Sequence, residues 1–307
     1  MIFVTEYKVY HYDSEVAEEL VRVSAKVAEN WSWPYQHSLE AFNNMSSQSD
    51  FDPGLLLYCK KGEEIVGYIL ADIGSKFLGS KLSVKKEEFA RVLFPRALSG
   101  HEKAADLLLE KIFENLRSRR VKLVRSRTSN MRPNSFNYLK KWGYTESTVF
   151  PLGYKLYYQY NSSKGKIDYP IDDIQLFDEQ RDLKECSKWV AEFFNIPVET
   201  AKANIQQINT RDDLVSHCVI REKNNLAGYC YALPNSNVKK IHATFYIDAI
   251  NNHYFKQLLV KSVNNGIIAK SETFIVDLIY SVLKYEEAAK SLGFEKVATW
   301  GVFEKSL

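Results

Sequence analysis

The sequence has few cysteines and no metal-ligand cluster, and these shortages exclude several classes of small protein. Four cysteines occur in 307 residues, and none of them forms a CxxC pair, so neither a disulfide framework nor a zinc ribbon is predicted. Each lies in an apolar strand or helix pattern, where a reduced, buried thiol is expected. The six histidines are scattered as well, and we expect no bound metal.

Long apolar runs and strong net charge are also missing. No run approaches the roughly 18 apolar residues of a membrane span, so no membrane association is expected. The N-terminal segment MIFVTEYKVYHYD alternates like a β-strand and acquires charge too early for a signal peptide, which predicts a cytoplasmic protein. A formal net charge of +3 does not by itself indicate nucleic-acid binding, and it agrees equally well with an anionic small ligand.

The chain does have length, a balanced composition and an internal repeat. Its 307 residues, 45% hydrophobic and 26% charged, are typical of a globular protein with room for two domains. The segment EEIVGYILA resembles NNLAGYCYA, and NYLKKWGYTES resembles EAAKSLGFEKV, while Asn161–Lys166 is the best candidate linker. The sequence therefore predicts two related α/β domains, residues 1–162 and 167–307, each a mixed, mostly antiparallel sheet flanked by helices.

The segment Phe89–Asn115 carries the strongest indication of function. A short apolar strand ends at Phe94 and Pro95, a polar loop with a single glycine, Gly100, follows, and a helical pattern then begins. The first-turn N–H groups of a helix lack intrahelical partners, and the helix dipole there favours anions. A strand, a loop and a helix start in this order predict a site for a phosphate-bearing ligand.

The order of elements resembles the GCN5-related N-acetyltransferase (GNAT) family, in a tandem arrangement. The similarity rests on Val66-Gly67-Tyr68, on the stretch from Leu93-Phe94-Pro95 into Ala104-Ala105, and on Asn134-Ser135 through Trp142-Gly143-Tyr144. The resemblance implies transfer of an acetyl group from acetyl-CoA to a primary amine of a small molecule or peptide, by direct attack in the first domain. The pantetheine arm would lie where the strand Phe89–Phe94 splays from the strand Val121–Arg127.

The resemblance also implies which residues contact the cofactor. A backbone N–H of Leu93 or Phe94 would polarise the acyl oxygen, and the loop amides would hold the pyrophosphate. The usual family loop, Arg/Gln-x-x-Gly-x-Gly/Ala, is altered here, because Arg96, Gly100 and Ala104 occur at a different spacing and Glu102 adds a negative charge. The implied cofactor-binding residues are Leu93, Phe94, Arg96, Ser99, Gly100, His101, Glu102, Lys103, Ala104, Asn130 and Asn134, the last of which is also a candidate helix cap.

Two side chains are candidates for proton transfer. Tyr138 lies on the short helix whose tyrosine often protonates the leaving thiolate in the family, although the usual position is held here by Leu139. A packed aromatic is the alternative role for Tyr138. Glu88, near the start of the fourth strand, or Asp72 could act as the base through a water, and a solvated strand-end carboxylate is the alternative in both cases.

Aromatic and basic side chains are candidates for the acceptor site. The rings of Trp31, Trp33 and Tyr35 lie where the family's first two helices cover the acceptor, and they could enclose a substrate or pack in the core. Arg125 and Arg127 share one strand face by alternation and are predicted to point into the cleft, toward an acidic acceptor or the cofactor phosphates. The basic run that contains them also suits nucleic acid, an option that the sequence favours less.

The corresponding loop of the second domain, Ile250–Tyr254, has neither glycine nor arginine. No functional cofactor site is expected there, and the second domain is predicted to be structural or to shape the acceptor cleft. The altered loop of the first domain leaves a second hypothesis open: a non-catalytic binding or scaffold protein that retains the fold.

Overall fold

The computed structural model describes residues 6–29, 37–49, 51–75, 78–79, 81–194, 196–234 and 241–307, with residues 241–245 described by their backbone alone. The chain divides into two compact units. The first unit is Met1–Leu152 together with Trp300–Leu307, and the second unit is Gly153–Thr299. Each unit is a mixed sheet flanked by helices, which confirms the predicted fold class.

The first unit follows the element order expected from the sequence. Its helices are α1 (Ala17–Ala28), α2 (Leu39–Ser46), α3 (Glu102–Ser118) and α4 (Ser135–Lys141), and its strands are β1 (Tyr7–His11), β2 (Leu56–Lys61), β3 (Glu64–Ile73), β4 (Phe89–Val92), β5 (Arg96–Ala97), β6 (Leu123–Ser129) and β7 (Thr145–Glu146). Local capping explains where α2 begins, because Ser38 accepts from the Ala41 amide. Asp13 accepts from the Glu15 amide and caps a short 3-10 turn that leads into α1.

The second unit repeats this order with its own elements. Its helices are α5 (Glu179–Phe194), α6 (Val198–Asn209), α7 (Asn252–Ile268) and α8 (Glu286–Ser291), and its strands are β8 (Lys155–Asn161), β9 (Ile174–Leu176), β10 (Ser216–Glu222), β11 (Asn225–Pro234), β12 (Ile241–Ala249) and β13 (Thr273–Ile279). The final strand, β14 (Glu295–Ser306), begins in the second unit, and its residues from Trp300 onward belong to the first.

The predicted domains, residues 1–162 and 167–307, differ from this division at two places. Strand β8 pairs with β13 and so belongs to the second unit, while the C-terminal part of β14 pairs with β6 in the first. The predicted linker Asn161–Lys166 is also part of the second unit. The Ser162 amide donates to the Glu272 carbonyl at 3.0 Å, and Lys164 forms a 2.6 Å ion pair with Glu295.

One parallel strand pair lies near the middle of each sheet. In the first unit the order is β1-β2-β3-β4-β6-β14, and only β4 and β6 run parallel among these neighbours. In the second unit the order is β9-β10-β11-β12-β13-β8, and β12 and β13 form the parallel pair. In both units the parallel strands separate after a few residues, and a cleft opens at that point.

The cores of both units are apolar and continuous with their sheets. In the first unit α1 and α3 pack on β3, with Leu20, Val66 and Leu108 among the residues that are fully buried there. Among the described residues, no helix is both long enough and apolar enough to cross a membrane.

Candidate active site

A β-bulge at Phe94 and Pro95 opens the cleft of the first unit. Strand β4 pairs with β6 only as far as Arg91 opposite Arg125, after which the chain stays with β3 and leaves β6. An advance of three residues along β3 corresponds to an advance of four residues along the segment from β4 to β5. The segment from β4 to β5 therefore contains one extra residue, which is a β-bulge. The predicted splay of the two strands is therefore present.

Gly67 permits the close return of the chain to β3 after this bulge. A Cβ atom at Gly67 would lie 2.7 Å from the carbonyl oxygen of Arg96, a distance that no side chain can occupy. The bulge also separates the two amides that were predicted as oxyanion donors. The Leu93 amide donates to the Leu70 carbonyl at 2.8 Å and is used by the sheet. The Phe94 amide has no backbone acceptor within the described part of the chain, and it is the donor that the bulge leaves available.

Strand β6 diverges from β4 beyond Arg125 and carries buried polar groups. From Ser126 to Ser129 one edge of β6 pairs with β14, and the other edge has no strand partner among the described residues. The hydroxyls of Ser126, Thr128 and Ser129 are buried and, among the described residues, lack hydrogen-bond partners. None of these three side chains lines the cavity.

The resulting cavity, which we name the first cleft, has a volume of about 350 Å³. Its walls come from the end of α1, the bulge, the loop before α3, the start of α3, the loop after β6, and α4. It brings together five of the residues predicted from the sequence, namely Phe94, Ser99, Glu102, Asn134 and Tyr138. Its charged side chains are Lys26, Arg132 and Glu102.

Tyr138 faces the first cleft because of the helical phase of α4. Its ring stacks on Trp142 with centroids 5.5 Å apart and meets Phe94 edge-on at 6.4 Å. The next residue, Leu139, which occupies the usual family position, is buried in the core instead. The Tyr138 hydroxyl has no hydrogen-bond partner in the described structure, so it is available to a ligand.

Asn134 lies at the N-cap position of α4 but does not cap the helix. Its backbone is left-handed, with φ of 58°, and its side chain makes no capping hydrogen bond. Ser135 holds the start of α4 instead, since its hydroxyl donates to the Ser129 carbonyl at the end of β6 at 2.9 Å. The Asn134 side chain is consequently exposed at the mouth of the first cleft.

The loop before α3 carries its own anion. Gly100 adopts φ of 81°, a conformation suited to glycine, and open space surrounds its Cα. Its amide donates to a carboxylate oxygen of Glu102 at 3.2 Å. A carboxylate therefore lies at the helix N-terminus, where a phosphate is expected. The neighbours point elsewhere: His101 bonds the Tyr7 hydroxyl at 3.1 Å, Lys103 lies over the Tyr7 ring, and Ala104 is buried.

Arg96, predicted to contact the phosphates, is buried away from the first cleft. Its guanidinium donates to the Ser24 hydroxyl at 2.7 Å and to the Ser24 carbonyl at 3.2 Å. Ser24 also accepts from the amide of His37, whose ring bonds the Tyr68 hydroxyl at 2.7 Å. Burial first, and then the charge of Arg96, lower the pKa of His37 to about 3, so this buried histidine is neutral at pH 7.

Arg125 and Arg127 do not line the first cleft, and the prediction that both point into it is wrong. Arg125 is 3% exposed, donates to the Leu78 carbonyl at 2.7 Å and forms a 3.0 Å ion pair with Glu304. The Arg127 guanidinium lies over the ring of Trp300, 4.9 Å from its centroid. Both arginines therefore pack against the C-terminal strand.

The cations of the first cleft are two residues that sequence reasoning missed. Lys26 comes from the last turn of α1 and Arg132 from the loop after β6, where its guanidinium lies 5.8 Å from the centroid of the Phe94 ring. The position of Arg132, two residues before Asn134, was a usable signal. Nothing in the sequence distinguished Lys26 from other helical lysines.

The predicted bases lie outside the first cleft. Glu88 precedes β4 at the end opposite to the bulge, where a hydrogen bond from Lys122 and one from the Lys85 amide lower its pKa. A carboxylate that acts as a base near pH 7 needs a raised pKa, whereas the pKa of Glu88 is lowered. Asp72 pairs with Arg91 at 3.3 Å. Asn130 is exposed just after β6 and does not line the first cleft, and Trp31, Trp33 and Tyr35 lie outside the described residues.

The helix start of the second unit that corresponds to α3 is closed by its own cap. The Asn251 side chain accepts from the Tyr254 amide at 2.9 Å at the N-terminus of α7. The expectation that the segment Ile250–Tyr254 does not bind a pyrophosphate stays a prediction.

Known proteins resemble this chain in structure and not in sequence. No protein-family model and no curated protein matches it. It is similar to a GCN5-related N-acetyltransferase from Sphaerobacter thermophilus, with a TM-score of 0.68 and 10% identity over 98% of this chain and 95% of that one. It is also similar to a tandem GNAT protein from the clavulanic acid biosynthesis pathway, with a TM-score of 0.66 and 12% identity over 98% of each chain.

A third similar structure is an acetyltransferase of the GNAT family from Colwellia psychrerythraea, with a TM-score of 0.65 and 13% identity over 97% of this chain and 99% of that one. Identities this low establish the fold alone. The chain has the fold of the GCN5-related N-acetyltransferases, in a tandem arrangement.

Proposed function

We propose that the first unit transfers an acetyl group from acetyl-CoA to a primary amine of a small molecule or peptide. One observation carries the proposal: the first cleft combines a backbone donor at Phe94, the Tyr138 hydroxyl and the cations of Lys26 and Arg132. These are the groups needed to bind an acyl thioester, polarise its carbonyl and protonate a departing thiolate.

The residues of the first cleft fit a thioester ligand that carries amides and phosphates. When bound, acetyl-CoA supplies the activated acetyl group. The cations of Lys26 and Arg132 would hold the phosphates. The Phe94 amide would donate to the acyl oxygen. As the amine nitrogen bonds the acyl carbon and the C–S bond breaks, Tyr138 would give its proton to the sulfur, and the amine would release one.

Glu102 favours a second candidate function, a non-catalytic binding protein that retains the fold. Its carboxylate already satisfies the Gly100 amide and places a negative charge at the start of α3, where the cofactor pyrophosphate would lie. Repulsion between the Glu102 carboxylate and a phosphate at the same helix start weakens phosphate binding unless the Glu102 side chain rotates away. Glu102 is exposed, and so it can move without breaking a packed contact.

Calorimetric titration of the full chain with acetyl-CoA tests the proposal. Saturable binding, together with release of free CoA thiol in the presence of a panel of primary amines, is the expected result. Absence of any heat at about 1 mM acetyl-CoA would refute the enzymatic role. Binding without thiol release for every amine in the panel would favour the non-catalytic alternative.

A further inference from the structure

The second unit contains a cavity of its own where β12 and β13 separate. The two strands pair in parallel only as far as Thr244 opposite Val276, although β12 continues to Ala249 and β13 to Ile279. The cavity, which we name the second cleft, has a volume of about 530 Å³. Its walls include three aromatic and three charged side chains, those of Trp189, Phe193, Tyr280, Glu192, Asp248 and Lys284.

The aromatic side chains come from two elements and meet across the second cleft. Trp189 and Phe193 lie one helical turn apart on α5, on the same face. Tyr280 follows β13 and meets Phe193 edge-on, with ring centroids 5.8 Å apart. The backbone of Tyr280 is left-handed, with φ of 54°, an uncommon conformation for an aromatic residue that turns the chain at the rim.

The charge of the second cleft is negative, because it has two carboxylates and one ammonium group. Asp248 is half-buried, and one of its oxygens accepts from the adjacent Ala249 amide at 2.8 Å. No ion pair neutralises Asp248 or Glu192 among the described residues. Burial raises the pKa of Asp248, and the charge of Lys284 offsets part of this effect. A half-buried carboxylate without an ion-pair partner is stabilised when a cation binds.

The core beside the second cleft contains a buried hydroxyl that lacks a partner among the described residues. Tyr246 lies two residues before Asp248 on the same face of β12, and it is 2% exposed. Its ring packs against Phe193, with centroids 5.0 Å apart, and its hydroxyl has no hydrogen-bond partner in the described part of the chain. Burial first, and then the charge of Asp248, raise the pKa of this hydroxyl.

We infer that the second cleft binds a small organic ammonium ion with an aromatic or apolar body. Trp189, Phe193 and Tyr280 offer ring faces and edges to the body and to the cation, and Asp248 and Glu192 offer charge-assisted acceptors to its N–H groups. CoA does not fit the same chemistry, because its phosphates would meet two carboxylates and α7 is already capped by Asn251. This inference does not depend on acetyl transfer in the first unit.

Calorimetric titration of the full chain with phenethylammonium tests the inference. The expected dissociation constant is about 1 mM or lower, since one ammonium–aromatic contact and one ammonium–carboxylate contact supply most of the affinity. The anion 3-phenylpropionate has nearly the same shape and the opposite charge, and we expect it not to bind. Equal binding of the cation and the anion, or no binding of the cation at about 10 mM, would overturn the inference.

Three variants localise the site. Asp248→Asn should weaken phenethylammonium binding about tenfold, because it removes a charge with little change in volume. Glu192→Gln, at an exposed position that cannot unfold the unit, should weaken it about threefold. Asp212→Asn, an exposed carboxylate of the same unit outside the second cleft, should leave it unchanged.

Two results with these variants would contradict the inference. Affinity that is unchanged in both Asp248→Asn and Glu192→Gln would show that the cation binds elsewhere and would overturn the inference. Loss of binding in Asp212→Asn of the same size as in Asp248→Asn would indicate a general charge effect and would overturn it as well. Circular dichroism of each variant confirms that the comparison is made between folded proteins.

Discussion

The first cleft and the second cleft arise from the same backbone event and carry opposite charge. In each unit a parallel strand pair near the middle of the sheet separates after three or four paired residues. The first cleft then presents two cations and one carboxylate, whereas the second presents two carboxylates and one ammonium group. The backbone of the fold therefore makes a cavity, and the side chains around it give the two cavities opposite charge.

A buried tyrosine with a histidine partner occurs at the equivalent position of each unit. Tyr68 and Tyr229 follow the repeated glycines Gly67 and Gly228, and both tyrosines are fully buried. The hydroxyl of Tyr68 bonds His37 at 2.7 Å, and that of Tyr229 bonds His217 at 3.0 Å. His37 precedes α2, whereas His217 lies on β10, so different elements supply an equivalent partner. Selection for a satisfied buried hydroxyl explains this better than a shared catalytic role does.

Replacement of Tyr138 is expected to have the largest effect on the proposed reaction. Tyr138→Phe keeps the ring stack with Trp142 and removes the proton donor, so kcat should fall by about 100-fold. Binding of acetyl-CoA should change little. Steady-state thiol release and calorimetry measure the two effects separately.

Tyr10→Phe is the matched control for this substitution, since Tyr10 is exposed on β1 and lies outside the first cleft. If Tyr138→Phe retained full kcat, the thiolate would take its proton from another group, and the assignment of Tyr138 would be wrong.

The two buried histidines should make both units lose stability in mild acid. The pKa values of His37 and His217 are lowered from 6.5 to about 3 and about 4, mainly by burial. At a pH between the lowered pKa and 6.5, each histidine is protonated in the unfolded chain and neutral in the folded chain. The stabilisation is therefore full above pH 6.5 and decreases as the pH falls below 6.5. In this range the free energy of unfolding decreases by roughly 1 kcal/mol per pH unit for each histidine.

Urea unfolding at pH 7, 6 and 5 measures this slope, and His37→Gln and His217→Gln test each histidine singly. Each variant should flatten the pH dependence of the unit that contains it. A wild-type unfolding free energy that stays constant from pH 7 to pH 5 would contradict the assignment of neutral buried rings.

Removal of Arg132 should weaken CoA binding in the first cleft. Arg132→Ala deletes one of its two cations, and we expect the dissociation constant for acetyl-CoA to rise about tenfold. Calorimetry provides the measurement. Lys140→Ala, an exposed lysine on α4 outside the first cleft, should leave the constant unchanged. Equal losses in the two variants would mean that the charge of Arg132 acts only at long range.

The smallest effect is expected from Glu102. Glu102→Gln keeps an oxygen for the Gly100 amide and removes the negative charge from the start of α3, so acetyl-CoA should bind about threefold more tightly. The variant is measured by the same titration. Weaker binding would show that the carboxylate assists the ligand instead of competing with it, and the contrast in charge between the clefts would then need revision.

Local patterns were sufficient to predict the fold and the position of the first cleft. The apolar run that ends at Phe94 and Pro95, the glycine Gly67 and the helix after Gly100 each have a local physical cause, and the structure contains the bulge, the close approach and the helix start. Helical phase was harder to read. Spacing from Gly143 favoured Leu139, and the packing of α4 places Tyr138 in the cleft instead.

Contacts distant in sequence explain the predictions that were wrong. Arg96 is buried because Ser24, 72 residues earlier, accepts its hydrogen bonds. Alternation correctly placed Arg125 and Arg127 on one face, but it could not show that Leu78 and Glu304 would cover Arg125. Strand β8 belongs to the second unit and the end of β14 to the first, and no local pattern predicts this. The sequence of an apolar strand does not indicate which sheet the strand joins.

The C-terminal strand has a consequence for biosynthesis. Residues Trp300–Ser306 pair with β6 along Leu123–Ser129, yet the ribosome makes them after the entire second unit. During that interval β6 presents an unpaired sheet edge, which is a template for association with other chains. The unit that is synthesised first therefore gains its last strand only after the second unit has been made.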